Sequence, residues 1–138
     1  MVPAMPEIAN YVTHGATHIT PAILERLLRN LPIWKVEFSQ IKAPKYPHLV
    51  RQLEFLANVV EDFVEGADKE LSLVAVAQAA FALMYAHKKM DIIPDFVAKL
   101  GRGDDSSIVR AVLIQNEGCL SRYAQRHGFN WERITSLP

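Results

Sequence analysis

The chain has 138 residues, of which half are hydrophobic and 22% are charged. These values are typical of a single globular domain spanning 1–138 and exclude a chain that is mainly disordered. Fifteen basic residues balance fifteen acidic ones, so no net field attracts nucleic acid or an anionic membrane.

The cysteine content and the hydropathy pattern indicate a cytoplasmic protein. Cys119 is the only cysteine, which precludes an intramolecular disulfide and favours a reducing compartment. The first basic residue is Arg26, so the start of the chain lacks the charged leader of a secretory signal. The longest uncharged run, 71–86, is shorter than the about 20 residues that cross a bilayer, and it is therefore interpreted as a buried helix.

Residues 1–19 predict an irregular N-terminal arm, because two prolines and Gly15 interrupt any helical period. His14 and His18 are four positions apart, a spacing that would place both imidazoles on one face of a helix, as a metal site requires. Because Gly15 and the neighbouring threonines disfavour a helix and no third ligand is close in sequence, an ordinary surface segment is favoured there.

The first predicted helix begins at Thr20-Pro21, where threonine can cap free N–H groups and proline loses no hydrogen bond. It should run to about Asn30 and stop at Pro32. The segment 33–41 alternates apolar and polar residues like a strand, although Trp34, Phe38 and Ile41 also fit a helix. Since the sequence offers no convincing partner strand, we expect an extended segment.

A linker with two prolines, 42–47, precedes the second predicted helix, Leu49 to Val64, which Gly66 should end. The basic residues around the linker form a small patch that is more typical of a solvated loop than of a phosphate site. They are Lys42, Lys45, His48 and Arg51.

The last turn of the second predicted helix is acidic, which the helix dipole disfavours. The acidic residues are Glu61, Asp62 and Glu65. We therefore expect a compensating cation nearby, either Lys69 or the pair Lys88-Lys89.

The run 71–86 predicts a central helix, because it has almost no polar face and must be enclosed by its neighbours. Its many alanines allow those neighbours to approach closely. The basic residues 87–89 complement the negative end of its dipole.

Beyond the central helix, we expect a turn over Met90–Asp95 and a short helical turn over 96–100, closed by a left-handed Gly101. Asp104-Asp105-Ser106-Ser107 should then cap and open the fourth helix. Gly118 should kink or break that helix near 116–118.

The C-terminal part predicts one more short helix. Gly128 should end the fourth helix and Asn130 should cap the last one. Phe129 and Trp131 should hold the C-terminus against the body. The sequence thus predicts an all-α fold, a compact bundle of four main helices around an alanine-rich central helix, with a short C-terminal helix and an irregular arm at 1–19.

The part from about 70 to 115 carries a specific motif. An alanine-rich helix ends in Ala80-Phe-Ala-Leu-Met-Tyr85 and is followed by Met90-Asp-Ile-Ile-Pro-Asp-Phe96, Gly101 and Asp104-Asp105. This pattern resembles the YkvA-like family, whose members carry Pro-x-Asp-Leu-Ile-Pro-Asp-x-x-Pro-x-x-Gly-x-x-Asp-Asp after such a helix. The chain departs from that pattern at Lys89, Ala98 and Arg102-Gly103. The resemblance implies a helical hairpin, and it implies no activity.

The four aspartates of this motif allow two interpretations. Asp91, Asp95, Asp104 and Asp105, with His87 as a further candidate, could hold a divalent cation, because hard cations prefer several carboxylate oxygens. A metal-activated water would then make the chain a hydrolase. Alternatively the same aspartates cap helices and pair with nearby cations. Caps are the favoured interpretation, because capping already accounts for the positions of these aspartates.

We therefore expect a protein of unknown function that is a non-enzymatic helical interaction module, with a metal-dependent hydrolase as the alternative. No catalytic residue and no cofactor other than that possible cation are assigned. The expected partner is another protein or a second copy of the chain; a membrane surface is not favoured and nucleic acid is not expected. Cys119 is interpreted as a small core residue and not as a reactive thiol.

Overall fold

The computed structural model describes the backbone of residues 5–92 and 95–138 and the side chains of 6–88 and 104–138. The described backbone is helical throughout its regular elements and contains no strand, so the predicted all-α class is confirmed. The helices are α1 Met5–Ala16, α2 Pro21–Ser39, α3 Leu49–Val64, α4 Leu73–Ile92, α5 Asp95–Gln115, α6 Glu117–Arg126 and α7 Trp131–Ile134.

Helix α4 lies at the centre of the bundle and packs against α1, α2, α3 and α5. Its alanines are buried against these neighbours, which the small side chains allow to come close. They are Ala75, Ala77, Ala79, Ala80, Ala82 and Ala86. The predicted arrangement around an alanine-rich helix is thus confirmed. In the described part of the chain, every helix is too short or too polar to cross a membrane.

The prediction of an irregular arm at 1–19 is wrong for the residues that form α1. Ile8, Val12 and Ala16 are buried, and their spacing of four forms one apolar face on α4 and α5. Gly15 lies inside this helix without interrupting it. Glycine is needed here for close packing, because a Cβ at this position would overlap the ring of Phe81.

The prediction of an extended segment at 33–41 is also wrong, because α2 continues through Pro32 to Ser39. Proline inside a helix costs about 3 kcal/mol. Leu31 and Phe38 lie on either side of it and are completely buried, and each such side chain stabilises the fold by about 1.5–3 kcal/mol. The start was predicted correctly, since Thr20 Oγ1 accepts a hydrogen bond of 3.2 Å from the Ile23 N–H.

Helix α3 has the predicted bounds, and Gly66 follows it with a positive φ of 78°. The cation that meets its acidic end differs from the one expected. Lys35 on α2 forms an ion pair with Glu61, whereas Lys69 or the pair Lys88-Lys89 was expected; the side chain of Lys89 lies outside the described residues.

The corner between α4 and α5 is more helical than the sequence predicts. Helix α4 extends through Met90–Ile92, which lie in the predicted turn, and residues 93–94 lie outside the described backbone. Helix α5 then runs without a break from Asp95 through Gly101 to Gln115. A separate turn closed by Gly101, and a new helix capped by Asp104 or Asp105, are therefore wrong. A glycine costs only about 1 kcal/mol inside a helix and does not have to end it.

The C-terminal elements follow the prediction. Helix α5 ends at Gln115 and α6 begins at Glu117, so the break expected near Gly118 is confirmed. Asn130 caps α7 by accepting a hydrogen bond of 3.1 Å from the Glu132 N–H. Gly128 has a φ of 77°. The rings of Phe129 and Trp131 lie 5.5 and 5.8 Å from the ring of Phe55 on α3, as expected for a C-terminus held against the body.

Candidate functional site

The predicted aspartate site is described only in part. Asp104 is exposed whereas Asp105 is 1% exposed. Consecutive residues of a helix point about 100° apart, so the two carboxylates leave α5 in different directions. The side chains of Asp91 and Asp95 lie outside the described residues. A site formed by all four aspartates therefore stays a prediction.

His87, the further candidate for that site, faces α2. Its ring stacks on Trp34 with centroids 3.9 Å apart, and its Nε2 lies 3.1 Å from Glu37 Oε2. Tyr85, two positions earlier on α4, points instead toward α1, where its ring meets that of Tyr11. The His87 ring is thus engaged on a different side of α4 from the side that faces Asp104.

Asp104 lines a half-open cavity of about 340 Å³ between α1, α4 and α5. We call this the tyrosine cavity. It combines aromatic and aliphatic walls with two carboxylates and the hydroxyls of two tyrosines and one serine. The described lining residues are Glu7, Ile8, Tyr11, Tyr85, Asp104, Ser107 and Ile108.

The packing of α1 creates the tyrosine cavity. Ile8 belongs to the buried face of α1, and Tyr11, three residues further, lies at the edge of that face and is 51% exposed. The Tyr11 ring makes edge contacts with Phe81 at 5.5 Å and with Tyr85 at 6.2 Å. Because Gly15 lets α1 approach Phe81, these three rings form one aromatic cluster, of which Tyr11 and Tyr85 line the cavity.

A second polar constellation joins the α3–α4 loop to the end of α6. Its centre is Asp68, whose side chain is 3% exposed. Arg126 donates to both carboxylate oxygens at 3.0 Å, His127 Nε2 lies 2.7 Å away, and the Glu70 N–H donates at 2.9 Å. Burial by itself raises the pKa of Asp68, but the hydrogen bonds from His127, the Glu70 N–H and Arg126 bring it below its ordinary value.

Asp62 extends this constellation toward the core. It accepts a hydrogen bond from the hydroxyl of Tyr123, a fully buried residue, and lies 3.8 Å from His127 Nδ1. Burial and the Asp62 carboxylate raise the pKa of Tyr123 far above its usual range, so the phenol stays protonated. We call the five residues Asp62, Asp68, Tyr123, Arg126 and His127 the Asp68 clamp.

The Asp68 clamp is suited to holding elements together. Each of its acidic groups already accepts hydrogen bonds, and its phenol is both buried and protonated, whereas a nucleophile or general base must reach a substrate. The clamp joins two segments that are about 60 positions apart, so the sequence alone does not bring its residues together. The local signals were Asp62 in the acidic last turn of α3, for which a cation was expected, and the polar residues 68–70 that follow Gly66-Ala67.

Two further expectations concern metal ions and the cysteine. Among the side chains that the structure describes, no three His, Cys, Asp or Glu groups converge as a metal site would require. Cys119 is partly buried and packs against the hydrophobic core, in agreement with its interpretation as a small core residue.

Comparisons with family models, with curated proteins and with solved structures find no match to this chain.

Proposed function

We propose that this chain is a non-enzymatic helical interaction module. Its tyrosine cavity accepts a large apolar side chain that lies next to a lysine or arginine in a segment of a partner protein. The observation that carries the proposal is the cavity itself, which has aromatic walls and a carboxylate on each of two helices.

The size and the walls of the cavity support uptake of a side chain. Its volume of about 340 Å³ falls in the range of ligand pockets. Tyrosine is enriched among the residues that dominate binding energy at protein interfaces, because it offers a large rigid surface with a polar tip. Tyr11 is half exposed and therefore open to such contact.

The charges of the cavity support a basic neighbour in the bound segment. Glu7 contributes a carboxylate, and the described lining contains no basic side chain. A lysine or arginine beside the apolar side chain would complement Glu7, and such complementarity sets specificity and speeds association.

The resemblance to the YkvA-like family is compatible with this proposal, since it implies a helical hairpin and no activity. The family-like part of the chain supplies more than half of the described lining, and α1 supplies the rest. The lining residues from that part are Tyr85, Asp104, Ser107 and Ile108.

Selection from a random peptide library displayed on phage tests the proposal. Enriched peptides should share a large apolar residue beside a lysine or arginine. Tyr11→Ala and Glu7→Lys should each weaken the best peptide at least tenfold, measured by fluorescence polarisation. Val36→Ala is the matched control, because Val36 is similarly exposed but lies on α2.

Two results would count against the module. The first is equal peptide binding by wild type and by Tyr11→Ala with an unchanged circular dichroism spectrum. The second is a rise in melting temperature with magnesium, manganese or calcium that Asp104→Asn removes, which would favour the hydrolase built on the aspartates.

A further inference from the structure

We infer that His14 and His18 form a two-histidine site for a divalent transition metal ion such as nickel, copper or zinc. His14 lies in the last turn of α1 and His18 in the turn that follows. Both side chains are exposed, and their rings stand edge to face with centroids 5.3 Å apart. The site does not depend on the proposed function of the tyrosine cavity.

The distance between the rings fits joint coordination of one ion. Imidazole nitrogen binds zinc at about 2.0–2.1 Å, and the ring centroid lies about 1.15 Å behind the nitrogen, so the ion stands about 3.2 Å from each centroid. At a tetrahedral angle the two centroids are then about 5.2 Å apart. The observed separation of 5.3 Å agrees with this value, and coordination requires the edge-to-face rings to turn so that one nitrogen of each points at the ion.

The backbone between the two histidines holds this geometry. The His18 N–H donates to Gly15 O at 3.1 Å, and the Thr17 hydroxyl donates to His14 O at 2.6 Å. These hydrogen bonds hold the turn that follows α1 in place, so the two imidazole rings stay on the same side of the chain. The contact of Gly15 with Phe81 anchors the segment to α4.

The surroundings favour a cation of borderline softness. The carboxyl-terminal end of a helix carries partial negative charge, which attracts cations within the last turn. Imidazole ligands suit zinc, copper and nickel, whereas magnesium and calcium prefer oxygen. With two protein ligands, water completes the coordination. This chemistry differs from that of the predicted aspartate site, which requires a hard cation.

Isothermal titration calorimetry of tag-free protein with nickel chloride and with zinc chloride tests the site. We expect one ion per chain. His14→Gln and His18→Gln should each weaken binding at least tenfold, because each leaves a single imidazole. His48→Gln is the control: His48 lies in a loop before α3, so its loss should leave the affinity unchanged. Equal affinity in wild type and both single variants would overturn the inference.

Nuclear magnetic resonance of the histidine rings gives an independent readout. Zinc should shift the ring nitrogens of His14 and His18, and excess magnesium should not reverse the shift. Shifts confined to His48, His87 or His127, or a stoichiometry of one ion for two chains, would contradict a chelate within one chain.

Discussion

A carboxylate that is almost inaccessible to water has to receive hydrogen bonds, and Asp68 receives them from three groups. Arg126 binds both of its oxygens, His127 binds one, and the Glu70 N–H binds the other. Such charge-assisted bonds are about twice as strong as neutral ones, and leaving the partners unpaired costs more than the bonds contribute. A single residue therefore ties the α3–α4 loop to the end of α6.

Replacing Asp68 by alanine should lower the free energy of unfolding by about 2 kcal/mol, measured by urea denaturation. Removing one partner of a buried pair costs about 3–5 kcal/mol, but Arg126 is 29% exposed and can regain water. Glu70→Gln is the matched control. Glu70 also pairs with Arg126, at 3.2 Å, but its side chain is 73% exposed. The loss of this pair should therefore change the free energy of unfolding by less than about 0.5 kcal/mol. Equal losses of unfolding free energy in the two variants would show that the burial of Asp68 does not strengthen its contribution to stability.

The stability that Asp68 contributes should disappear in acid. The pKa of Asp68 is lower in the folded chain than its ordinary value of 3.8, so the unfolded chain binds more protons as the pH falls. The contribution is therefore complete above about pH 5 and is lost as the pH drops below about 4. The difference in unfolding free energy between wild type and Asp68→Asn should be largest near pH 7 and shrink steadily toward pH 3. A constant difference over this range would contradict the lowered pKa.

At the scale of the helices, the sequence correctly predicts those bounds and caps that residues near the helix ends determine. The bounds of α3 and the cap of α7 follow from glycines and a capping asparagine near the ends of these helices. The α1 helix and the second half of α2 could not be predicted, because distant residues decide them. Packing on α4 and α5 outweighs the low helix propensity of Gly15, and the Phe81 ring occupies the space that a Cβ at this position would need.

The candidate site shows the same division. Asp104 belongs to a motif that is visible in the sequence. Glu7 and Tyr11 join it only because α1 packs on α4 and α5, and that packing depends on a helix that the local signals disfavour. Conversely, the capping roles expected of Asp104 and Asp105 fail, because α5 begins at Asp95, about two and a half helical turns before Asp104.

The packing of α1 on α4 can be tested with a double-mutant cycle. Gly15→Ala should destabilise the protein by about 1 kcal/mol, since overpacking costs about 1–3 kcal/mol and better helix propensity returns about 1 kcal/mol. In the Phe81→Ala background the same change should stabilise by about 0.5–1 kcal/mol, because the overlap is gone. Thermal and urea unfolding of the four proteins gives both values.

Gly118→Ala is the control for this cycle. A Cβ there meets only the flexible end of Arg122 at 3.6 Å. We expect an unchanged or slightly higher stability, independent of Phe81. Destabilisation by Gly15→Ala in both backgrounds would show that the added Cβ overlaps with atoms other than those of the Phe81 ring.

At the scale of the whole molecule, one continuous cluster of buried side chains joins the described helices. Residues from α1 and α2 at one side and from α7 at the other belong to this cluster, and α3, α4 and α5 lie between them. A continuous core of this size usually unfolds in one step.

The two tryptophans can report whether the described helices unfold together. Trp34 stacks on His87 between α2 and α4, whereas Trp131 packs on Phe55 between α7 and α3. In Trp131→Phe and in Trp34→Phe, the remaining tryptophan fluorescence and the circular dichroism signal should give the same urea midpoint. An earlier fluorescence transition in Trp34→Phe would show that α7 separates from α3 before the bundle unfolds.

The position of α1 in the bundle has a consequence for how the chain folds as it is synthesised. Helix α1 has 12 residues, too few for a stable helix on its own in water. The elements it packs on end at Ile92 and Gln115, and about 100 residues take a ribosome about 5–20 s. During that interval Ile8 and Val12 have no core to enter. The packing of α1 therefore waits until α5 has been synthesised, and its apolar face stays exposed until then.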